Sequence, residues 1–554
     1  MPTLYWGPSA GTSTGTWDGT SITRWFTDVG RTVTSLLAPT SADDVVFDAG
    51  SDNGTTFNVT LGAGAVCRNI TVSNLDFTMT LTHAVALNIH GSLSFPTTRL
   101  TRAGFNAINF LATSSQTVNL NGYDLDNAVT FNGAGGTWVL ASNLGTNNTA
   151  RTNLAITLTA GTIDLNGFIV YARSFSSSNS NARGIAFNGG KVSLWGTGIN
   201  VWAVQTATNF SYTGTSNVEG TYTGSVGARN FFHGSSSGAT EANSPTFNVI
   251  SGSDTVGFAS VRDINFTGFS GTWSTGSMPI YGSMTLSSTM TVSSSASNLV
   301  FSGTSGPYFI TCAGKTINQP VQFSGAGGTW KFADTFSLDG SRTLTLVAGT
   351  LDADGKNVSI GSFALGAGTK TLSIGSGTWS VTASGTAWDA NTNVANLTVS
   401  ASSGTISMTS ASAKTFAGGA KAWPTLNQGG AGALTIQQSN SFANITNSVQ
   451  PATITLTAGT TQTVAAFGVS GTAGNLITLN SSTAGTRATL SDSTGTVEVS
   501  NVLIKDISAT GGANWNAFLK SGNVDAGNNL GWDFFPAVRQ VFSQVFTSIF
   551  RPIF

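Results

Sequence analysis

Few side chains in this chain are able to do acid–base or nucleophilic chemistry. The glutamates are Glu219, Glu241 and Glu498, the histidines His83, His90 and His233, and the cysteines Cys67 and Cys312. Hydrolysis of a glycosidic bond needs two carboxylates across one bond, an acid and a base or nucleophile. The three glutamates lie far apart, and the aspartates come as local pairs: Asp43 with Asp44, Asp124 with Asp126, Asp352 with Asp354. Neighbours on a strand project to opposite faces, whereas residues two apart share one, so Asp352 with Asp354 is the kind of pair able to converge. Their Asn- and Gly-rich surroundings fit aspartates that bond the backbone of their own turns. The expectation is that no residue is catalytic.

The same residues argue against a metal or cofactor. His83 and His90 lack the nearby third ligand that a zinc site requires, and two distant cysteines fit small buried hydrophobes. Gly133-Ala-Gly-Gly136 and its copy beginning at Gly325 have the glycines of a phosphate loop, but neither opens a helix nor precedes Lys-Ser/Thr. They are expected as tight turns, with no metal and no cofactor bound. Trp195, Trp202, Trp379, Trp388, Trp515 and Trp532 are large enough to stack on sugar faces or to fill a core. Trp388, Trp515 and Trp532 are taken as the glycan-stacking candidates.

The elements that carry these residues follow from composition and repetition. The 554 residues are 40% hydrophobic and only 8% charged, with 67 Gly, 34 Phe and 13 Trp. That is enough apolar surface for a core, so the solvated positions fall to Ser, Thr and Asn, which pair along stacked strands and form turns. A formal net charge of −1 with no basic cluster disfavours nucleic acid, because phosphate binding needs a Lys/Arg patch.

Phe131-Asn-Gly-Ala-Gly-Gly-Thr-Trp138 recurs as Phe323-Ser-Gly-Ala-Gly-Gly-Thr-Trp330, 192 residues later. Leu158-Thr-Ala-Gly-Thr-Ile-Asp164 recurs as Leu346-Val-Ala-Gly-Thr-Leu-Asp352, 188 residues later. Between them run short alternating segments such as Lys191–Trp195 and Lys370–Ile374, bounded by turn residues, which read as strands. No stretch before about residue 534 keeps a helical apolar period. The pattern predicts an all-β parallel β-solenoid in preference to a string of sandwiches, because solenoids stack like residues rung on rung and repeat with drift.

Four segments are expected: an N-terminal attachment segment at 1–50 with Trp6, Trp17 and Trp25, a solenoid at 51–415, a smaller β module at 416–533, and a short amphipathic helix at 534–554. In the last, Phe542, Phe546, Phe550 and Phe554 stand four apart, flanked by Val538, Val541, Val545 and Ile549, which is helical spacing. The open readings are a trimerisation helix, a plug into a neighbouring protein, or a membrane-binding segment. A polar face poor in Lys and Arg favours an oligomer or docking interface over a membrane. The start, Met1-Pro-Thr-Leu-Tyr-Trp6, lacks the basic and apolar regions of a signal peptide.

Asp43-Asp44-Val-Val-Phe47, the Gly-Gly-Thr-Trp turns and the closing Ala509-Thr-Gly-Gly-Ala-Asn-Trp515 and Gly527-Asn-Asn-Leu-Gly-Trp532 resemble bacteriophage tail-fibre and tailspike-like virion structural proteins. The resemblance implies a right-handed, commonly homotrimeric appendage assembled in the host cytoplasm, located in the virion, in contact with other virion proteins and with a host surface glycan. Alternatives are an exported β-helical adhesin and a polysaccharide-depolymerising spike.

Overall fold

A computed structural model describes residues 2–535 except 401. Position 401 and the expected helix beyond Phe535, with all eight interface candidates from Val538 to Phe554, lie outside the described residues. The fold is all-β and 1% helical, a parallel β-solenoid of about 22 turns. The chain divides into two units, Met1–Met278 with Thr289–Thr291, and Pro279–Ser288 with Val292–Phe554.

In the first unit, one ladder shows how the sequence makes a rung. Val45 pairs with Ile70, Ile70 with Leu93, Leu93 with Val118 and Val118 with Leu140, all parallel. Each step advances the chain by 22 to 25 residues. The strands are short and alternate, so Val45 and Phe47 of Asp44–Phe47 and Ile70 and Val72 of Ile70–Val72 face inward. The N-terminal segment closes this unit. Thr3–Trp6 pairs in parallel with Asp44–Phe47 and antiparallel with Trp25–Phe26, which brings Trp6, Trp17 and Trp25 around Phe47 with ring centroids 5.0–6.0 Å apart.

The second unit repeats the scheme. Leu299, Val321, Leu344, Phe363, Trp388, Phe416 and Ile436 form one in-register column. The change in sequence texture at residue 416, where a separate module was expected, coincides with no break: Phe416 pairs with Trp388 on one side and Ile436 on the other.

Parallel strands lie about 4.7–4.9 Å apart, which is also a comfortable spacing for offset aromatic rings. In-register aromatics therefore stack: Phe110 on Phe131 at 4.9 Å, Phe175 on Trp202 at 4.7 Å, Phe301 on Phe323 at 5.0 Å and Phe363 on Trp388 at 4.4 Å. Polar ladders follow the same rule. Asn109 donates to Asn88 (2.8 Å), Asn230 to Asn200 (3.0 Å) and Asn248 to Asn217 (2.9 Å), and Thr80 bonds Thr101 (2.9 Å).

The two long sequence repeats are two copies of one local structure. Phe131 pairs with Leu158 and Trp138 with Ile163; correspondingly, Phe323 pairs with Leu346 and Trp330 with Leu351. A Cβ on Gly133 would lie 1.7 Å from the Ala112 carbonyl oxygen, and one on Gly325 would lie 1.8 Å from that of Gly303. On the next turn, Gly161 and Gly349 hold φ near +87° and +81° against the carbonyls of Gly133 with Gly136 and of Gly325 with Gly328. The glycines are thus required by close approach of successive turns, which is why the motif recurs as a block.

Gly325→Ala is expected to cost about 3 kcal/mol or more, since the added methyl must push two rungs apart. Gly276→Ala, where a Cβ meets nothing within 4 Å, should change stability by less than about 0.5 kcal/mol. Guanidinium denaturation of both variants checks the difference; equal midpoints would refute the close-approach account.

Candidate functional site

The tryptophans chosen as sugar platforms are inside the stack. Trp388 is fully buried, with Phe363 stacked on it at 4.4 Å and Phe416 at 5.8 Å. Trp515 and Trp532 are buried against each other at 5.1 Å, and the Trp515 indole donates to the Thr510 carbonyl (3.0 Å). Their ring faces are taken by protein, which corrects the expectation that they stack on glycan. All three stand at buried positions of strands.

The carboxylates are committed to turns and cations. Asp43 accepts from Thr40 N and Oγ1 (2.8 and 2.6 Å). Asp44 binds the Arg68 guanidinium and Asn69, which hold its carboxyl below its ordinary range against the opposing effect of burial. Asp124 pairs with Arg151, and Asp126 accepts from Asn153 N (2.8 Å). Asp352 and Asp354 do converge, but on Lys331 Nζ (3.3 and 3.6 Å), and Asp352 also accepts from Asp354 N (2.9 Å). Glu219 pairs with Lys191 (2.8 Å) and Glu498 with Lys520 (3.3 Å). A groove that the sequence did not announce brings Asp492 and Glu498 to one surface beside Asn444; Asp492 there accepts from Thr494 N (3.3 Å).

Among the described residues no cluster of three or more His, Cys, Asp or Glu is placed to hold a metal. Cys67 and Cys312 are free and buried, and burial pushes the Cys312 thiol up to about 12. His83 and His233 are buried with no hydrogen bond to either ring nitrogen. Asn243 lies near His233, but its amide is spent on Gly238 O (2.8 Å) and Thr240 N (2.8 Å).

One cleft in the first unit has the makings of a ligand site. It encloses about 350 Å³ and is lined by Arg173, Trp195, Thr197, Tyr222, Thr149 and Thr152, with no carboxylate. Four consecutive turns build it, Thr149 and Thr152 coming from the turn before that of Arg173. Strands Ile169–Ala172, Lys191–Leu194 and Val218–Gly220 pair in parallel, and the residues just past their ends stack at one corner. Trp195 N donates to Ala172 O (3.2 Å), Gly196 N to Arg173 O (3.0 Å) and Thr221 N to Leu194 O (2.8 Å). Gly196 permits the close approach, because a Cβ there would sit 2.3 Å from Arg173 O.

Its side chains are held unequally. Tyr222 donates to Val226 O (3.2 Å) and faces the Arg229 guanidinium at 5.5 Å. Arg229 is itself clamped by both oxygens of Asp254 at 2.9 Å, with both side chains fully buried. Arg173, in contrast, makes no side-chain hydrogen bond or ion pair among the described residues. Every other described arginine is engaged: Arg31, Arg68, Arg102, Arg151, Arg229 and Arg262 with aspartates, and Arg24, Arg99, Arg183, Arg342 and Arg487 with backbone or side-chain oxygens. The cleft therefore offers a free, fixed-charge fork donor beside an aromatic edge and a rim of hydroxyls. Sequence reading singled out Trp195 but not Arg173 or Tyr222. The signal was present as polar or aromatic residues one turn apart, visible only once the turns are aligned.

The fold defines an all-β parallel β-solenoid protein, with a cleft at one corner of its first unit. In comparisons with protein-family models, curated proteins and solved structures, nothing matched this chain.

The two buried histidines give the fold a pH dependence. Burial, helped by Arg102 near His83 and Arg183 near His233, lowers each imidazole to about 4. The folded chain keeps them neutral while the unfolded chain takes up protons below about pH 6.5. Their contribution to stability is complete above about 6.5 and is lost as pH falls towards 4, by up to about 3 kcal/mol per histidine. Denaturation midpoints of the parent and of the His83→Met, His233→Met double variant between pH 7 and 4.5 check this. The parent should lose stability across that window and the variant much less; identical slopes would refute it.

Proposed function

We propose that this protein is an attachment protein of a phage particle, a tail-fibre or spike subunit that binds an acidic glycan on the host surface through the Arg173 corner cleft. The observation that carries the reading is the uncommitted Arg173 guanidinium in a carboxylate-free cleft edged by Trp195 and Tyr222. A guanidinium recognises a carboxylate through two parallel hydrogen bonds, hydroxyls such as Thr149, Thr152 and Thr197 suit sugar hydroxyls, and the half-buried Tyr222 ring suits the apolar face of a pyranose ring.

The solenoid fold is compatible with fibre, spike and adhesin proteins, and the low charge keeps the stack free of strong binding to nucleic acid. Val29, Val33, Leu36 and Leu37 in the N-terminal segment are exposed apolar side chains, of a kind suited to contact with another virion protein. Several copies on one particle, three in a homotrimer, would convert weak single-site binding into avidity.

Calorimetric titration with carboxylated and neutral oligosaccharides tests the site. The parent should bind the carboxylated ligand, and Arg173→Gln should weaken that binding about 10- to 100-fold, the value of one charge-assisted interaction. Thermal stability should be unchanged, since the Arg173 side chain makes no hydrogen bond or ion pair among the described residues. Equal binding by parent and variant would remove the cleft from the function, and absence of the chain from purified particles by mass spectrometry would remove the virion assignment.

A further inference from the structure

A second cleft adjoins the Arg173 cleft in the first unit. It encloses about 470 Å³ and is lined by Asn121, Asn143, Thr146, Asn147, Phe168 and Tyr171 together with small residues, with no charged side chain. The two clefts share their walls. One loop supplies Asn147 to the second cleft and Thr149 to the first, and one strand end supplies Tyr171 to the second and Arg173 to the first. Residues two apart on extended chain stand roughly 7 Å apart and project to the same face, and half-buried Tyr171 and Arg173 flank the buried Ala172 in this way. The second cleft also reaches back one turn, to Asn121, whose backbone N–H donates to Ser142 Oγ (3.1 Å). The first runs on through later turns to Trp195 and Tyr222. The pair of clefts therefore follows the direction in which the turns stack.

The second cleft offers what the first lacks. The Tyr171 hydroxyl, the Asn147 carboxamide and the Asn143 amide nitrogen have no partner among the described residues. Asn143 is held by its oxygen, which accepts from Ile169 N (3.0 Å), so its free amide nitrogen is fixed in place. The shared loop is anchored to the turn before it: Thr146 Oγ1 and Arg151 Nε donate to Asp124 (3.4 and 2.9 Å), and Asn153 N donates to Asp126 (2.8 Å). Phe168 and Tyr171 are half-buried and supply apolar ring surface. Fixed amides, a hydroxyl and aromatic surface without a charge suit an uncharged sugar ring.

We propose that this second cleft is a neutral-sugar subsite, and that the ligand is a linear glycan lying along the stacked turns. One ring presents its carboxylate to Arg173, and an adjoining uncharged ring lies against Phe168 and Tyr171. The inference rests on the reading of the Arg173 cleft as an acidic-glycan site, and it narrows the ligand to a chain that mixes acidic with neutral sugars. A chain with a carboxylate on every ring would place an unpaired anion in a cleft that holds no cation.

Ligand-observed NMR titration of the full chain tests this with three probes. They are methyl uronides, tetrasaccharides in which a uronic acid alternates with a neutral hexose or N-acetylhexosamine, and oligouronates charged on every ring. The parent should bind an alternating tetrasaccharide about 10-fold more tightly than the matching uronide, with no such gain for the oligouronate. Tyr171→Ala and the exposed Asn147→Ala should each reduce tetrasaccharide binding about 3- to 10-fold, the value of one aromatic or hydrogen-bonding contact, and leave uronide binding unchanged. Arg173→Gln should weaken both probes. A tetrasaccharide no tighter than the uronide, or a gain kept in both cleft variants, would overturn the subsite and leave the Arg173 site standing. An oligouronate as tight as the alternating chain would overturn its neutral character. Absence of binding to every acidic probe, or equal binding by Arg173→Gln, would remove the Arg173 reading and this inference with it.

Discussion

The spacing of parallel strands, about 4.7–4.9 Å, governs this structure. Successive turns lie in register at that distance, so every residue is presented to its counterpart one turn away. Phe363 meets Trp388 at 4.4 Å and Asn109 meets Asn88 at 2.8 Å because the backbone ladder has already aligned them. Such a lattice rewards like on like: apolar rings exclude water from the interior, and amide and hydroxyl ladders satisfy one another outside. It penalises like charges, which would repeat at the same short distance. That is the physical sense of a chain with only 8% charged residues.

Among the described residues every arginine but Arg173 is tied down. The buried Arg229–Asp254 pair joins successive turns through two 2.9 Å bonds. Lys414, also buried, spends its ammonium on the carbonyls of Ser410, Gly430 and Gly432, and burial lowers it to about 8. Removing one partner from such arrangements strands a charge in a poorly solvated place. Against this background the uncommitted Arg173 stands out, and corners are where such a residue is tolerated. There the chain leaves the ladder, side chains need not repeat, and neighbouring turns place unlike residues side by side.

The sequence by itself determined the all-β class, the stacking of polar ladders and the two-turn block of Phe131–Trp138 with Leu158–Asp164, because short alternation and glycine-dependent close approach are local properties that leave local signatures. Tertiary structure decided which tryptophans are covered, which cation each aspartate meets and which residues share a corner. The reason is that turn length varies: Phe247 and Ile264 pair across 17 residues, Asn200 and Asn230 across 30. Rung-to-rung alignment cannot be counted along such a chain. Trp388, Trp515 and Trp532 thus looked like platforms and are core, while Arg173, Trp195 and Tyr222 are brought together by turns of unequal length, with nothing in their sequence spacing to mark the meeting.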